Sequence, residues 1–458
     1  MIEYLELFNH FLWEKCLLVL LLGLGVYLTV RLKGMQLRYL PYSLRLAFFS
    51  QEKGGKGDIS QFQSLMTALA ATMGIGSIAG MATAVMAGGM GAIFWMWLVA
   101  LFGMVTKFAE AILAVKYRQV DEKGEMCGGP MYYIHQGLGW PRLGAAFAVF
   151  GAICAFAGGN ITQSHSIAHA IHHLTGIPQS ITGVVIAFFT AIVILGGIRS
   201  LGKVNAVLVP AMALLYIGGG ALVLLYFYPL ILPSIQQIFL HAFTGQAAFG
   251  GFVGAGVMQA VQLGVSRGIS SNEAGLGSAP IASAAAKTDV PGRQALISMT
   301  GVFISSFLVC TMTVLIIAVT GVMGSLDASG DALNGAPLVM EAFRTVLPFG
   351  HWIVGICIVL FGYSTILGWA YYGEKCVEYL FGVRVLLYYR IVFILLAFLG
   401  TLLSLDVVWV LVDLMNGLMA LPNLIGLLFL CPVIFEEAQG FFQLLEQEKR
   451  QVEETNLS

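Results

Sequence analysis

The sequence predicts an all-α polytopic membrane protein of about eleven transmembrane helices. One peripheral N-terminal helix precedes a 5+5 inverted repeat that contains two broken helices. Three observations lead there. Of 458 residues, 58% are hydrophobic and only 10% charged, against roughly 25% charged in an ordinary soluble domain. That is too little charge to give a globule of this size a wetted surface. Apolar runs able to cross the hydrocarbon, about 20 residues each, recur along the whole chain, and two of them are interrupted by glycines and small polar residues. The composition excludes a soluble enzyme and a disordered regulator. Lys+Arg 23 against Asp+Glu 24 leaves no basic excess for phosphates, which excludes a nucleic-acid binder.

In chain order the predicted spans are 14–31, 62–87, 91–116, 143–172, 180–198, 204–228, 248–284, 292–320, 350–380, 386–404 and 406–433. Residues 1–15 carry Glu3, Glu6 and Glu14 against one Lys15, unlike the basic start of a cleaved signal, so Cys16–Val30 reads as a retained helix. Nineteen of the 23 Lys and Arg fall in segments on one side and two, Lys15 and Arg344, on the other. By the positive-inside rule the N-terminus is outside and the C-terminus inside a plasma (inner) membrane. The basic stretch 31–61 reads as an amphipathic interfacial segment, and the charged tail from Phe435 leaves the bilayer. The organisation is therefore 1–61 (peripheral helix and basic segment), 62–228 and 248–433 (five-helix repeats) and 434–458 (tail). Seven scattered cysteines without a C-x-x-C suggest neither a disulfide framework nor a zinc cluster.

The interrupted runs carry the functional signal. The second span holds the run Ala70–Gly80 with Gly74-Ile75-Gly76-Ser77 inside it, and the seventh holds Gly264–Gly275 with Gly268-Ile269-Ser270-Ser271 inside it, the kinks being expected near Gly76 and Ser270. Each opens one five-span half, and because five is odd the halves start on opposite sides of the membrane. That is the plan of a secondary transporter whose broken helices meet at the midplane. Unwinding a helix in lipid strands N–H and C=O groups at several kcal/mol each. A bound zwitterion satisfies them, its carboxylate at a half-helix N-terminus and its ammonium, or a sodium ion, at carbonyls. Glycine lets the backbone itself approach the ligand. The competing reading is that Gly74, Gly76 and Gly80 only permit close helix packing.

At these residues the chain resembles the alanine or glycine:cation symporters, from about residue 60 to 433. The matching blocks are Ala68–Gly80, Gly91–Trp97 with Lys107-Phe-Ala-Glu110 and Lys116-Tyr-Arg118, Gly128–Tyr133, Gly159–Gln163, Asn272–Pro280, Ser364–Trp369 and Tyr371–Glu374. The resemblance implies the inverted-repeat fold of amino-acid:sodium symporters and a small neutral amino acid as substrate. It also implies a sodium site in which the carbonyls of Ala70 and Met73 join the hydroxyls of Ser364 and Thr365, the alternative being that each hydroxyl bonds back to its own helix. Two departures stand out. The family's first break reads Gly-Thr-Gly-Asn, where this chain has Ser77. The family's Val-Phe-Ile-Asp-Thr becomes Val302-Phe-Ile-Ser305-Ser306. Both remove oxygen ligands near the substrate, so a substrate-adjacent ion site is expected to be weakened or absent.

Other residues are weighed singly. Gln163 both donates and accepts and is assigned to substrate, against an interhelical bond; Asn160, one turn earlier, is assigned to structure. Trp369 is expected to wall the pocket beside Thr365. His165, His169 and His172 point away from Gln163 by helical geometry and read as surface histidines. Lys107 and Glu110 read as a structural ion pair, since intramembrane charge usually finds a partner. Arg267, Glu273 and Asp413 are candidates for a gate or proton path. A Gly74-x-Gly-x-x-Ala79 resemblance to a dinucleotide fingerprint lacks any βαβ context.

The sequence reading is therefore sodium-coupled symport of alanine, glycine or a similar small neutral amino acid by alternating access, with no further cofactor and no obligate protein partner. The alternative is a proton-coupled or altered-substrate relative of the same fold. More remote are an ion channel and an intramembrane enzyme, for which H-E-x-x-H and a suitably placed G-x-S-x-G are both missing.

Overall fold

In the computed structural model, residues 5, 7–9, 11–49, 54–244, 257–326, 330–403 and 406–457 are described. The helices are α1 (Leu18–Arg31, led in by a π-helical turn, Phe11–Leu17), α2 (Met35–Arg38), α3 (Leu40–Phe49), α4 (Gln61–Thr72), α5 (Ala79–Gly88) and α6 (Ala92–Lys116). A two-stranded hairpin, β1 (Gln119–Val120) and β2 (Met126–Cys127), leads to α7 (Pro130–Leu138), α8 (Pro141–Phe156) and α9 (Thr162–Thr175). Then come α10 (Gln179–Ile194), α11 (Gly197–Tyr226), α12 (Tyr228–Thr244), α13 (Val257–Asn272) and α14 (Ala279–Ala284). The chain ends with α15 (Pro291–Val302), α16 (Thr311–Thr320), α17 (Gly335–Arg344), α18 (Gly350–Phe381), α19 (Leu386–Gly400), α20 (Asp406–Phe429) and α21 (Cys431–Leu457).

Among the described residues, eight helical stretches are long and apolar enough to cross a membrane. The other three predicted spans are the shorter α10 and the two discontinuous pairs, α4–α5 and α13–α14. Residues 248–256, at the start of the predicted seventh span, lie outside the described residues. Helices α7, α12, α17 and α21 lie wholly or almost wholly outside the predicted spans. Pro233 within α12 and the charges Glu341 and Arg344 in α17 mask their helical pattern.

Each break has a local cause. Ser60 and Gln63 form a reciprocal cap that starts α4. The helix stops at Met73, Gly74 is extended, and Ile75–Ser77 make one tight turn before α5. The second break falls at residues 273–278 rather than at Ser270, which corrects the sequence expectation. Gly268–Ser271 are continuous helix in α13, because Gly268 serves close packing against Met96. The chain leaves the helix only where Glu273, Gly275 and Gly277 take positive φ of 55°, 85° and 85°.

The broken segments run antiparallel in contact: α4 packs on α14, and α5 on α13. Helix α18 lies across α4, α8, α9 and α11. Helix α21 is held to the bundle by Lys116–Glu437 at 2.6 Å and by Arg293–Glu448, so the charged tail lies along the ends of α6 and α15.

Candidate functional site

A cavity of about 470 Å³ opens at the first break. Gly74, Ile75 and Gly76 present backbone to it, and Ala79, Gly80 and Thr83 extend the wall along α5. Opposite stand Gly158, Thr162, Gln163 and Ser166 of the α8–α9 segment, Thr365 and Trp369 of α18, and Val412, Asp413 and Asn416 of α20. Arg267, Ser270, Glu273 and Leu276 close it from the α13 side. Of the residues expected at a substrate site, it gathers Gly74, Ile75, Gly76, Gln163, Ser270, Thr365 and Trp369. Ser77, Gly268, Ile269 and Ser271 are buried in the helix packing alongside.

Close approach explains the glycines. A Cβ on Gly74 would lie 2.7 Å from Thr365 Oγ1 and 3.5 Å from Gln163 Oε1. Trp369 packs onto bare backbone at Gly159. Gln163 Nε2 donates to the Gly158 carbonyl at 3.2 Å, while its Oε1 is shielded and lacks a partner. Asn416 Oδ1 is in the same condition. Two shielded amide oxygens beside one cavity are acceptors able to take a donor, since an unmet buried acceptor costs about 1–3 kcal/mol. Asn160 takes the structural role expected of it, donating to the Phe393 carbonyl at 2.7 Å.

At the end of α4 the Ala70 carbonyl accepts from both Ser364 Oγ (3.2 Å) and Thr365 Oγ1 (3.1 Å). Each hydroxyl also reaches the Phe361 carbonyl at 2.9 Å. The Ala70 carbonyl and the two hydroxyls therefore meet, and the back-bonding weighed as the alternative is present as well. Because Phe361 offers each hydroxyl proton an alternative acceptor, both oxygens have lone pairs to give to a cation. No site with three or more His, Cys, Asp or Glu ligands occurs among the described residues. His169 and His172 are exposed, as expected, whereas His165 is only half-exposed and its Nδ1 is shielded.

The position where the family carries Asn and Asp is self-satisfied here. Ser77 Oγ lies 3.5 Å from Ser271 Oγ, which bonds Cys310 Sγ at 2.8 Å. Ser305, at the Asp position, donates its Oγ–H to the Val302 carbonyl of its own helix at 3.4 Å, and the neighbouring Ser306 Oγ accepts from Asn272 Nδ2 at 3.2 Å.

Lys107 and Glu110 do not bond each other, which corrects the expected ion pair; they clamp the second break instead. Lys107 Nζ donates to the Asn272 carbonyl at 2.6 Å, at the C-terminal end of α13. Glu110 Oε1 accepts from Gly275 N (3.1 Å) and from Asn423 Nδ2 (2.7 Å), and Asn423 also donates to the Gly275 carbonyl at 2.9 Å. Glu273 accepts from Ser278 Oγ at 2.6 Å and adjoins Trp369. Protein groups thus meet the Asn272 carbonyl and both polar backbone groups of Gly275 at the second break, whose Glu273 and Leu276 also line the cavity, while the first break presents Gly74 and Gly76 to it. Sequence reasoning missed Thr72, Thr83, Thr162, Ser166 and Asn416. The signal for two of them was present: Thr162 and Ser166 flank Gln163 on adjoining turns of α9.

Two discontinuous helices crossing antiparallel in a helical bundle, with a polar cavity at their meeting point, define an inverted-repeat membrane transporter. The particular group follows from the chain as a whole. Residues 1–455 match the profile of the sodium:alanine symporter family, and the chain belongs to that family: a transporter, not an enzyme. It is 52% identical over 447 residues to the sodium/alanine symporter AgcS of Methanococcus maripaludis, covering 96% of this chain and 97% of that one. It is 36% identical to the probable sodium/glutamine symporter GlnT of Bacillus subtilis, covering 94% and 89%. Among solved structures, MhsT in complex with L-phenylalanine superposes with a TM-score of 0.58 at 12% identity, covering 84% of this chain and all of that one, a likeness of fold.

Proposed function

We propose that this transporter carries out sodium-coupled symport of alanine, glycine or a similar small neutral amino acid across the plasma (inner) membrane, N-terminus outside and C-terminus inside. The observation that carries the reading is the cavity at the first break, where the Ala70 carbonyl and the Ser364 and Thr365 hydroxyls converge next to Gly74. The substrate carboxylate sits against Gly76, Ala79 and Gly80, where the N-terminal dipole of α5 favours an anion. Its ammonium takes the shielded oxygens of Gln163 and Asn416. Trp369 limits the side chain.

Sodium is held by the carbonyls of Ala70 and Met73 with Ser364 and Thr365. Sodium and amino acid each favour the same conformer, and that shared preference is the coupling. The repeats 62–228 and 248–433 rock about the midplane, with residues 1–61 and the tail 434–458 at the periphery. The lining residues run from the break towards Thr83 of α5, Arg267 of α13 and Val412 of α20, so this conformer faces outward. The names of AgcS and GlnT support sodium as the coupling ion and differ in the amino acid.

A proton-coupled or altered-substrate relative is the second reading, favoured by the two carboxylates, Glu273 and Asp413, that line the cavity. Radiolabelled alanine uptake into proteoliposomes, with sodium and pH gradients imposed separately and a panel of competing amino acids, tests both. Uptake driven by the pH gradient alone would overturn sodium coupling, and failure of small neutral amino acids to compete would overturn the substrate.

A further inference from the structure

A second cavity, of about 400 Å³, lies far from the central site, between the turn after α1 and helix α21. Its wall is aromatic: Tyr39 stacks on Phe442 with ring centroids 4.7 Å apart, and the Arg31 guanidinium sits 4.6 Å over Phe435. Its mouth is basic. Arg31, Lys33 and Arg38 line it, all three are exposed, and among the described residues none is in ion-pair range of a carboxylate. Glu446 is the one acid that lines it. From this mouth an apolar strip continues along the outside of the bundle, where Val30 and Tyr27 of α1 and Leu37 of α2 are 69%, 40% and 65% exposed.

The geometry points to an anionic phospholipid site at the membrane–water boundary where α1 ends: Arg31, Lys33 and Arg38 hold the lipid phosphate, and the acyl chains lie along Tyr27 and Val30. A phosphate group is the shared chemistry. The strip that carries the site into the bilayer selects a lipid over a free anion, and clustered cations beside a transmembrane helix attract anionic headgroups. The inference depends on where α1 ends, not on which amino acid the central cavity carries.

Native mass spectrometry of the delipidated full-length protein, given equal phosphatidylglycerol and phosphatidylcholine, tests it. Phosphatidylglycerol is retained in preference. The triple variant R31Q/K33Q/R38Q, shown folded by its melting curve, loses roughly fivefold in affinity per cation removed, about a hundredfold in all. E446Q, which removes the opposing charge, retains more. Excess inorganic phosphate leaves the bound lipid in place. Equal retention of the two lipids, or unchanged retention in the triple variant, overturns the site; displacement by inorganic phosphate reassigns it to a soluble anion and overturns the lipid. If the triple variant does not fold, E446Q decides, and unchanged retention there overturns the proposal.

Discussion

Thr365 Oγ1 sits between two carbonyls that compete for its one proton, Phe361 on its own helix and Ala70 across the break, and in the proposed sodium site its lone pairs would face the ion. Thr365→Val keeps the shape and removes that oxygen, so sodium stimulation of alanine uptake is expected to vanish while uptake at saturating substrate falls less. A sodium response equal to that of the parent would remove Thr365 from the ion site. Gln163 is the matching case for the substrate. A hydrogen bond to a charged group is worth about 1.5–3 kcal/mol, so Gln163→Leu should raise the KM for alanine by roughly ten- to a hundredfold, with protein yield and melting temperature little changed. Both residues stand beside Gly74, where a Cβ would project. Gly74→Ala should therefore impair sodium and substrate dependence together, as its Cβ would crowd both partners.

At the scale of elements, the two breaks differ in what satisfies them. Polar side chains from α6 and α20 meet the second, which makes it a fixed joint, whereas the first opens onto the cavity. Removing the clamp should cost stability rather than affinity. Asn423→Leu leaves Glu110 and the Gly275 carbonyl without their amide partner, at about 1–3 kcal/mol for each buried group left unpaired. Gly275→Ala adds a strained positive φ and a Cβ driven into Leu21. Both variants are expected to melt earlier in detergent while the folded fraction keeps the parental alanine KM. A large KM change with unaltered melting would move the second break into the binding site.

For the molecule as a whole, the end of the bundle where α4 begins and α14 ends is tied together through backbone bound by one guanidinium, and in the proposed transport cycle this is the closed end. Ile59 and Ala286 form a parallel bridge that ties the start of α4 to the end of α14. Arg118 donates to the carbonyls of Lys56, Ala284, Ala286 and Thr288 at 2.5–3.0 Å. Nearby, Lys375 is ringed by Glu378, Glu125 and Asp121 at 2.8–3.7 Å. Cys127 reports on this end: it is buried, and burial pushes its thiol up to about 11. Its thiolate fraction is small at neutral pH and grows only as pH approaches that value, so maleimide labelling should be slow and should quicken with alkalinity. Arg118→Ala should speed labelling at neutral pH, because opening this end exposes the thiol and returns it towards the ordinary range near 8.5. Equal rates in parent and variant would show that Arg118 does not hold the closure.

The class of protein was legible in the sequence because hydrocarbon thickness and charge asymmetry act through composition, one span at a time. Span order and the first break were readable for the same reason, whereas the meeting of Ala70 with Thr365 was implied by the family resemblance that blocks such as Ser364–Trp369 carry, and Gln163 and Trp369 were singled out by their side-chain chemistry. The second break was misplaced by a few residues because Gly268 and Gly275 look alike in sequence. One fits against Met96 within a helix; the other turns the chain. Only tertiary structure decided that Lys107 and Glu110 serve a joint rather than each other, and that Asn416, more than two hundred residues from Gln163, shares its cavity. Such partners are set by how distant helices pack, and a local pattern of residues holds no record of which helix will lie across from it.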